Sequence, residues 1–371
     1  MAGIYVHIPF CQSRCIYCGF FSTTSLAVRH EYVDAVLSEL SERKDFLSET
    51  EVETIYFGGG TPSQLPKEDI ERILRHIYNI YNVCGGAEVT LEGNPDDMTL
   101  PFLQSLRQMG INRLSMGVQT FDDERLKFLH RRHTAEQAMR AVQDAQSVGF
   151  DNISIDLMFG FPKQTLAEWR EDVQKALALN VQHISAYSLM YEDGTCLGKM
   201  LERGEVAEVD EEVSLAMYHE LIDALSTKGY EHYELSNFAL CGKRSRHNSS
   251  YWRGVPYLGV GAGAHSFDGK SRCSNVESLS EYMAGAVPVY EELTEHERYD
   301  EFVFTGLRTS DGISLSELVE KFGERYRLYC LKNAKKHLEA GRLMLEDDML
   351  KLTRQGLFVS NDVMSDLMWV E

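Results

Sequence analysis

The chain has 371 residues, 43% hydrophobic and 25% charged, a balance that suits a folded protein and excludes wholesale disorder. Its 37 basic and 57 acidic side chains leave a net charge of −20, so nucleic acid and anionic membrane surfaces are poor partners for it. The length points to two or three domains.

From residue 4 to 189 short strand-like runs (4–8, 54–57, 88–92, 113–118, 153–159 and 183–189) alternate with helical patterns (31–40, 67–78, 100–108, 134–148 and 166–179). Two of these helical patterns run into Gly110 and Gly149, the expected left-handed stop. Such repetition predicts an α/β fold of parallel βαβ units, and six units suit a partial barrel as well as an open sheet. Unusual residues fall where strands end: Cys11, the GGGTP of 58–62, the EGNP of 92–95 and Gln119, with Asp156 inside the fifth run. Ligands bind outside the carboxyl ends of parallel strands, so these residues are expected on one face. Beyond them lie a helix at 215–228, a polar glycine-rich stretch at 236–274, helices at 299–309, 315–322 and 325–340, and a hairpin at 345–352. Three helices and a hairpin resemble a winged helix, read in this acidic chain as a covering or protein-contact module. No window approaches the ~20 apolar residues of a membrane span. The opening MAGIYVHIPF has no signal-peptide pattern, and a cytoplasmic location is expected.

Three of the eight cysteines stand in CQSRCIYC at 11–18. Zinc with His7 or His30 as a fourth ligand is one way to use them, but structural zinc usually joins two separated knuckles and no second pair at that spacing exists. An iron–sulfur cubane fits better: it needs four ligands, the loop supplies three, and one iron is left for a non-cysteine ligand.

The CxxxCxxC spacing, with Tyr17 before the last cysteine and GGGTP after the second strand, resembles the radical S-adenosylmethionine (SAM) superfamily. IYVHIPFC, FGGGTPS, GVQTF at 117–121, LHRRHT at 129–134 and DLMFGFP at 156–162 are similar to the oxygen-independent coproporphyrinogen III oxidase (HemN-like) group. HNSSYW at 247–252 matches the HNxxYW element of its HemW branch, regarded as heme chaperones. The resemblance implies a partial (β/α)6 TIM-like barrel over 1–235, a connecting segment with the HNxxYW motif over 236–290, and a smaller, mostly helical, winged-helix-like domain over 291–371.

It also implies site residues. Cys11, Cys15 and Cys18 would hold a [4Fe-4S] cluster; Tyr5, Gly59 and Glu92 would contact the SAM bound to it. Gly60, Thr61, Gln119, Arg131 and Asp156 match further SAM contacts, partly to a second molecule, with Arg132 the neighbouring alternative to Arg131. His247 would be an axial ligand for heme iron, with Tyr251 and Trp252 packed on the porphyrin. His265, after a GVGAGA run, stands beside either close backbone packing or a ligand wall. The implied function is binding heme and delivering it to an acceptor protein that the sequence does not name. Decarboxylation of coproporphyrinogen III is the alternative, but the oxidases carry a further cysteine two positions past the triplet, where this chain has Phe20. Cleavage of SAM stays open on either reading, and no catalytic residue is assigned.

Overall fold

The computed structural model describes residues 2–47 and 50–370. Six strands alternate with helices as the patterning predicts: β1 (Ala2–Ile8), β2 (Val52–Gly59), β3 (Val83–Gly93), β4 (Arg113–Gln119), β5 (Ile153–Phe159) and β6 (His183–Ser188). They lie side by side in chain order, every pair parallel. Two of the helices between them start in capping boxes, Thr134 with Gln137 and Thr165 with Glu168. Gly110 and Gly149, both at φ 93°, end theirs in the left-handed conformation. The main core lies between the outer face of this sheet and the helices that cover it.

The glycine-rich stretch after residue 236 holds more structure than its composition suggests. β7 (Glu231–Glu234) and β8 (Asn237–Ala239) extend the sheet beyond β6, while β9 (Tyr257–Val260) pairs parallel with β1 on the other side. β10 (His265–Phe267), β11 (Ser271–Ser274) and β12 (Val289–Glu292) continue antiparallel from β9. The connecting segment is thus part of the barrel wall. The run before His265 serves close packing: a Cβ on Gly259 would stand 1.9 Å from the His265 carbonyl oxygen. Between β7 and β12 the sheet stays open, a partial barrel.

The C-terminal module has its own core around Tyr299, Val303, Leu318 and Tyr326. Its helices Glu295–Leu307, Leu315–Phe322 and Glu324–Glu339 pack with a small sheet of β13 (Ile313–Ser314), β14 (Leu343–Glu346) and β15 (Met349–Leu352), the winged-helix-like order read from the sequence. Arg308 ties it to the barrel: its guanidinium donates to Glu234 at 2.7 Å and lies over the Trp252 ring at 5.1 Å. Among the described residues no helix is long and apolar enough to cross a membrane.

Candidate functional site at two ends of the barrel

Strand alternation gives the lumen its chemistry. Tyr5 on β1, Thr54 and Tyr56 on β2, Glu88 and Glu92 on β3, and Arg113 and Ser115 on β4 share the inward face. On β5 and β6 it is shared by Ser154 and Asp156 and by His183, Ser185 and Tyr187. The intervening residues are apolar and meet the helices.

At the carboxyl ends of the strands, the loop after β1 carries the three cysteines. Cys11 is buried, with its Sγ 3.4 Å from the Thr61 hydroxyl. Cys15 and Cys18 are half-buried and linked by a backbone hydrogen bond from Cys18 N–H to the Cys15 carbonyl at 3.3 Å. Arg131 reaches back to this loop, donating to Cys15 Sγ at 3.5 Å, to Asn94 at 2.7 Å and to the Gly117 carbonyl at 2.5 Å. Arg132 turns away to Asp96 and Asp97, so of the neighbouring pair Arg131 is the one aimed at the thiols. Gly60 has no room for a side chain, since a Cβ there would lie 3.0 Å from Cys11 Sγ and 2.9 Å from the Pro9 carbonyl carbon. Gly59, at φ 109°, would meet the His7 ring at 2.7 Å. Tyr17 lies among the apolar side chains under the loop, where burial pushes its phenol up. Gln119 ends β4 at φ 71° and is buried.

Three thiols on one loop, a cationic neighbour and a backbone held close to Cys11 fit a cluster with three cysteine ligands. Among the described residues no three His, Cys, Asp or Glu side chains are gathered to hold a single metal ion, the three cysteines included.

Below this loop lies a lumen cavity of about 200 Å³. Glu92 accepts from the Tyr56 hydroxyl at 2.6 Å, and burial raises its carboxyl to about 7 against the pull of that bond. Asp156 is raised to about 6, again by burial, with the Ser185 hydroxyl opposing. Arg113 is 1% exposed, and its Nε and Nη1 have no hydrogen-bond partner. The sequence reading passed over Tyr56 and Arg113; the polar/apolar alternation of the strands was the signal that marks them as lumen residues.

The HNxxYW motif occupies the opposite end. It folds as the helix Arg246–Trp252, capped by Ser245. The backbone N–H of His247 donates to Glu88 at 3.1 Å. Its ring lies 2.8 Å from the Thr54 hydroxyl through Nδ1 and 2.8 Å from the Tyr251 hydroxyl through Nε2. It stacks on Tyr56 with centroids 5.0 Å apart and on Tyr5 at 6.3 Å. Burial holds the imidazole neutral, its pKa lowered to about 3. The expected axial ligand is therefore 2% exposed with both ring nitrogens engaged, rather than facing solvent from a polar loop. The column Glu92, Tyr56, His247, Tyr251 runs through the lumen from the cysteine end to the motif end.

Known proteins resemble this chain along nearly its whole length. The profile of the radical SAM superfamily matches residues 5–176, and that of the HemN C-terminal domain matches residues 293–359. A heme chaperone HemW of Bacillus subtilis is 34% identical over 98% of both chains. That of Mycobacterium tuberculosis is 34% identical over 99% of this chain and 94% of its own. A mitochondrial radical S-adenosyl methionine domain-containing protein 1 of Bos taurus is 32% identical over 99% of this chain and 87% of its own. The solved coproporphyrinogen III oxidase HemN of Escherichia coli superimposes with a TM-score of 0.85 over 99% of this chain and 90% of that one, at 23% identity, a likeness of fold.

Proposed function

The chain belongs to the HemW family of the radical SAM superfamily, and on that premise we propose that it binds heme and passes it to an acceptor protein. The observation that carries the reading is the match to curated heme chaperones along essentially the whole chain, with all four defining letters of HNxxYW present in one helix.

Radical SAM membership implies a [4Fe-4S] cluster and SAM. Cys11, Cys15 and Cys18 are the thiolates that would hold the cluster, which when bound supplies an electron to the sulfonium of SAM. The chain's own groups then bind and orient. Arg131 holds the cysteine loop against Asn94 and Gly117. Gly59, Gly60 and Thr61 give a backbone close enough for the methionine ammonium of SAM. Glu92, deprotonated above about 7, accepts from hydroxyl or ammonium donors, and Tyr5, Gln119 and Asp156 border the same space. His247 would serve as the iron ligand through Nε2, which the Tyr251 hydroxyl now occupies, while an Nδ1–H donated to Thr54 would keep the ring oriented.

The test is anaerobic reconstitution of the full chain with iron and sulfide, followed by hemin and quantification of all three. Acid-labile sulfide and bound heme on one sample, and transfer of that heme to an apo-hemoprotein, are expected. A sample that retains no heme overturns the reading. The same preparation, given coproporphyrinogen III, SAM and a reductant, is expected to form no protoporphyrinogen IX, because the position of the oxidases' further cysteine is Phe20, a side chain 71% exposed.

A further inference from the structure

At the motif end, where the barrel wall stays open, a cleft of about 1110 Å³ lies between the motif helix, the β10–β11 edge and the C-terminal module. Its volume lies just above the ~300–1,000 Å³ typical of small-molecule sites, room enough for a cofactor-sized ring. Its walls are rich in aromatic rings, among them Trp252 from the motif and Phe302, Phe304 and Phe322 from the module.

The polar groups of this cleft fall into two classes. Most cations are already paired: Arg272 with Glu301 at 2.7 Å, Lys321 with Glu317 at 2.8 Å, and Arg244 with Asp311 at 3.2 Å. Arg298 has no ion pair among the described residues, and its Nε is buried without an acceptor. On the facing motif helix the Trp252 indole N–H and the Ser249 hydroxyl are likewise buried without partners. Donors left over in an aromatic cleft call for a flat ligand that brings acceptors, and carboxylates answer an arginine best.

Tyr251 joins this cleft to the interior. It lines both the cleft and the lumen cavity, and its hydroxyl is bonded to His247 Nε2 at 2.8 Å. His247 itself lines the lumen cavity and not the cleft, so Tyr251 is the side chain that stands between Nε2 and the cleft.

The geometry points to this cleft as the seat of the heme, with Arg298 receiving a propionate and Tyr251 acting as a shutter over the His247 imidazole. The C-terminal module then builds half of the ligand site rather than merely covering the barrel. The inference rests on the heme reading above and adds the place and the gate to it.

Hemin titrated into the full chain, followed by its Soret band, tests the assignment. Arg298→Glu is expected to weaken affinity about tenfold with the band position unchanged, because the iron ligand is intact, whereas Arg140→Glu on the outer helix leaves affinity as it was. Tyr251→Phe, which loses the bond to His247, is expected to raise the association rate several-fold. If Arg298→Glu does not fold, Arg253→Glu at the cleft rim, 65% exposed, is expected to weaken affinity in the same direction. Wild-type affinity in the folded rim and interior arginine variants, with loss in His247→Ala, places the heme elsewhere and overturns the seat. An unchanged or slower rate in Tyr251→Phe overturns the shutter. No hemin binding by the wild type overturns the heme reading itself, a distinct outcome.

Discussion

The two ends of the barrel are built on opposite principles. At the carboxyl ends of the strands, polar groups are presented: two half-buried thiols, a thiol bonded only to a hydroxyl, and an arginine shared between a sulfur and two oxygens. At the amino ends the candidate iron ligand itself is spent: His247 has a partner on each ring nitrogen, an aromatic ring stacked on it, and a backbone bond to Glu88. Thiols of this kind have no strong buried hydrogen bond to give up before they bind. A saturated donor first has to break a buried hydrogen bond, which costs about 0.5–1.5 kcal/mol net and makes binding there conditional on movement.

That contrast predicts separable losses. Cys15→Ser is expected to abolish acid-labile sulfide after anaerobic reconstitution while leaving hemin affinity within about twofold; joint loss would mean that the two ends act as one site. His247→Ala is expected to do the reverse, keeping the sulfide and losing hemin. It also leaves Thr54 and Tyr251 without a buried partner and opens a void under Tyr56, a loss of about 3–5 kcal/mol in denaturant unfolding. An unfolding midpoint equal to wild type would show that the packing around His247 is not what holds the motif helix.

A smaller effect concerns acid. His183 on β6 is fully buried between Ser154 at 2.7 Å and Tyr233 at 2.8 Å, and burial holds its pKa well below 6.5. Between the unfolded and folded values the unfolded chain binds the extra proton. The contribution of the neutral ring is therefore complete above pH 6.5 and is lost as pH falls below it. In His183→Gln the dependence of the unfolding midpoint on pH below 6.5 should flatten; an unchanged slope would assign the acid sensitivity to other groups.

The cysteine end was legible because its chemistry is local. Eight consecutive residues hold all three thiols, and the glycines of GGGTP announce a backbone held close to them. The parallel strands were legible because apolar runs and helical patterns alternate with the right period. At the motif end HNxxYW was legible and its helical spacing sets Tyr251 beside His247, but the partners at residues 54, 88 and 298 come from parts of the chain that no spacing brings together. The stretch after 236 read as irregular because its strands are only three or four residues long, too short for a two-residue period to show. Arg113 was missed for another reason: it opens a strand, where a cation ordinarily faces water, although it shares the inward register of Ser115 two residues on.

Tyr56 serves both ends, donating to Glu92 and stacking on His247. Tyr56→Phe removes the first role and keeps the second. The lost hydrogen bond had stabilised the carboxylate, so the pKa of Glu92 should rise above its value of about 7, and SAM binding near neutral pH should weaken severalfold, a change on the order of 1 kcal/mol. Its pH midpoint should move upward, recovering affinity at alkaline pH, which a merely structural defect would not do. Hemin affinity should not follow, because the ring that packs on the imidazole is still there. If SAM and hemin binding fall together in this variant, the lumen column transmits between the ends, and the barrel is better described as one site with two mouths.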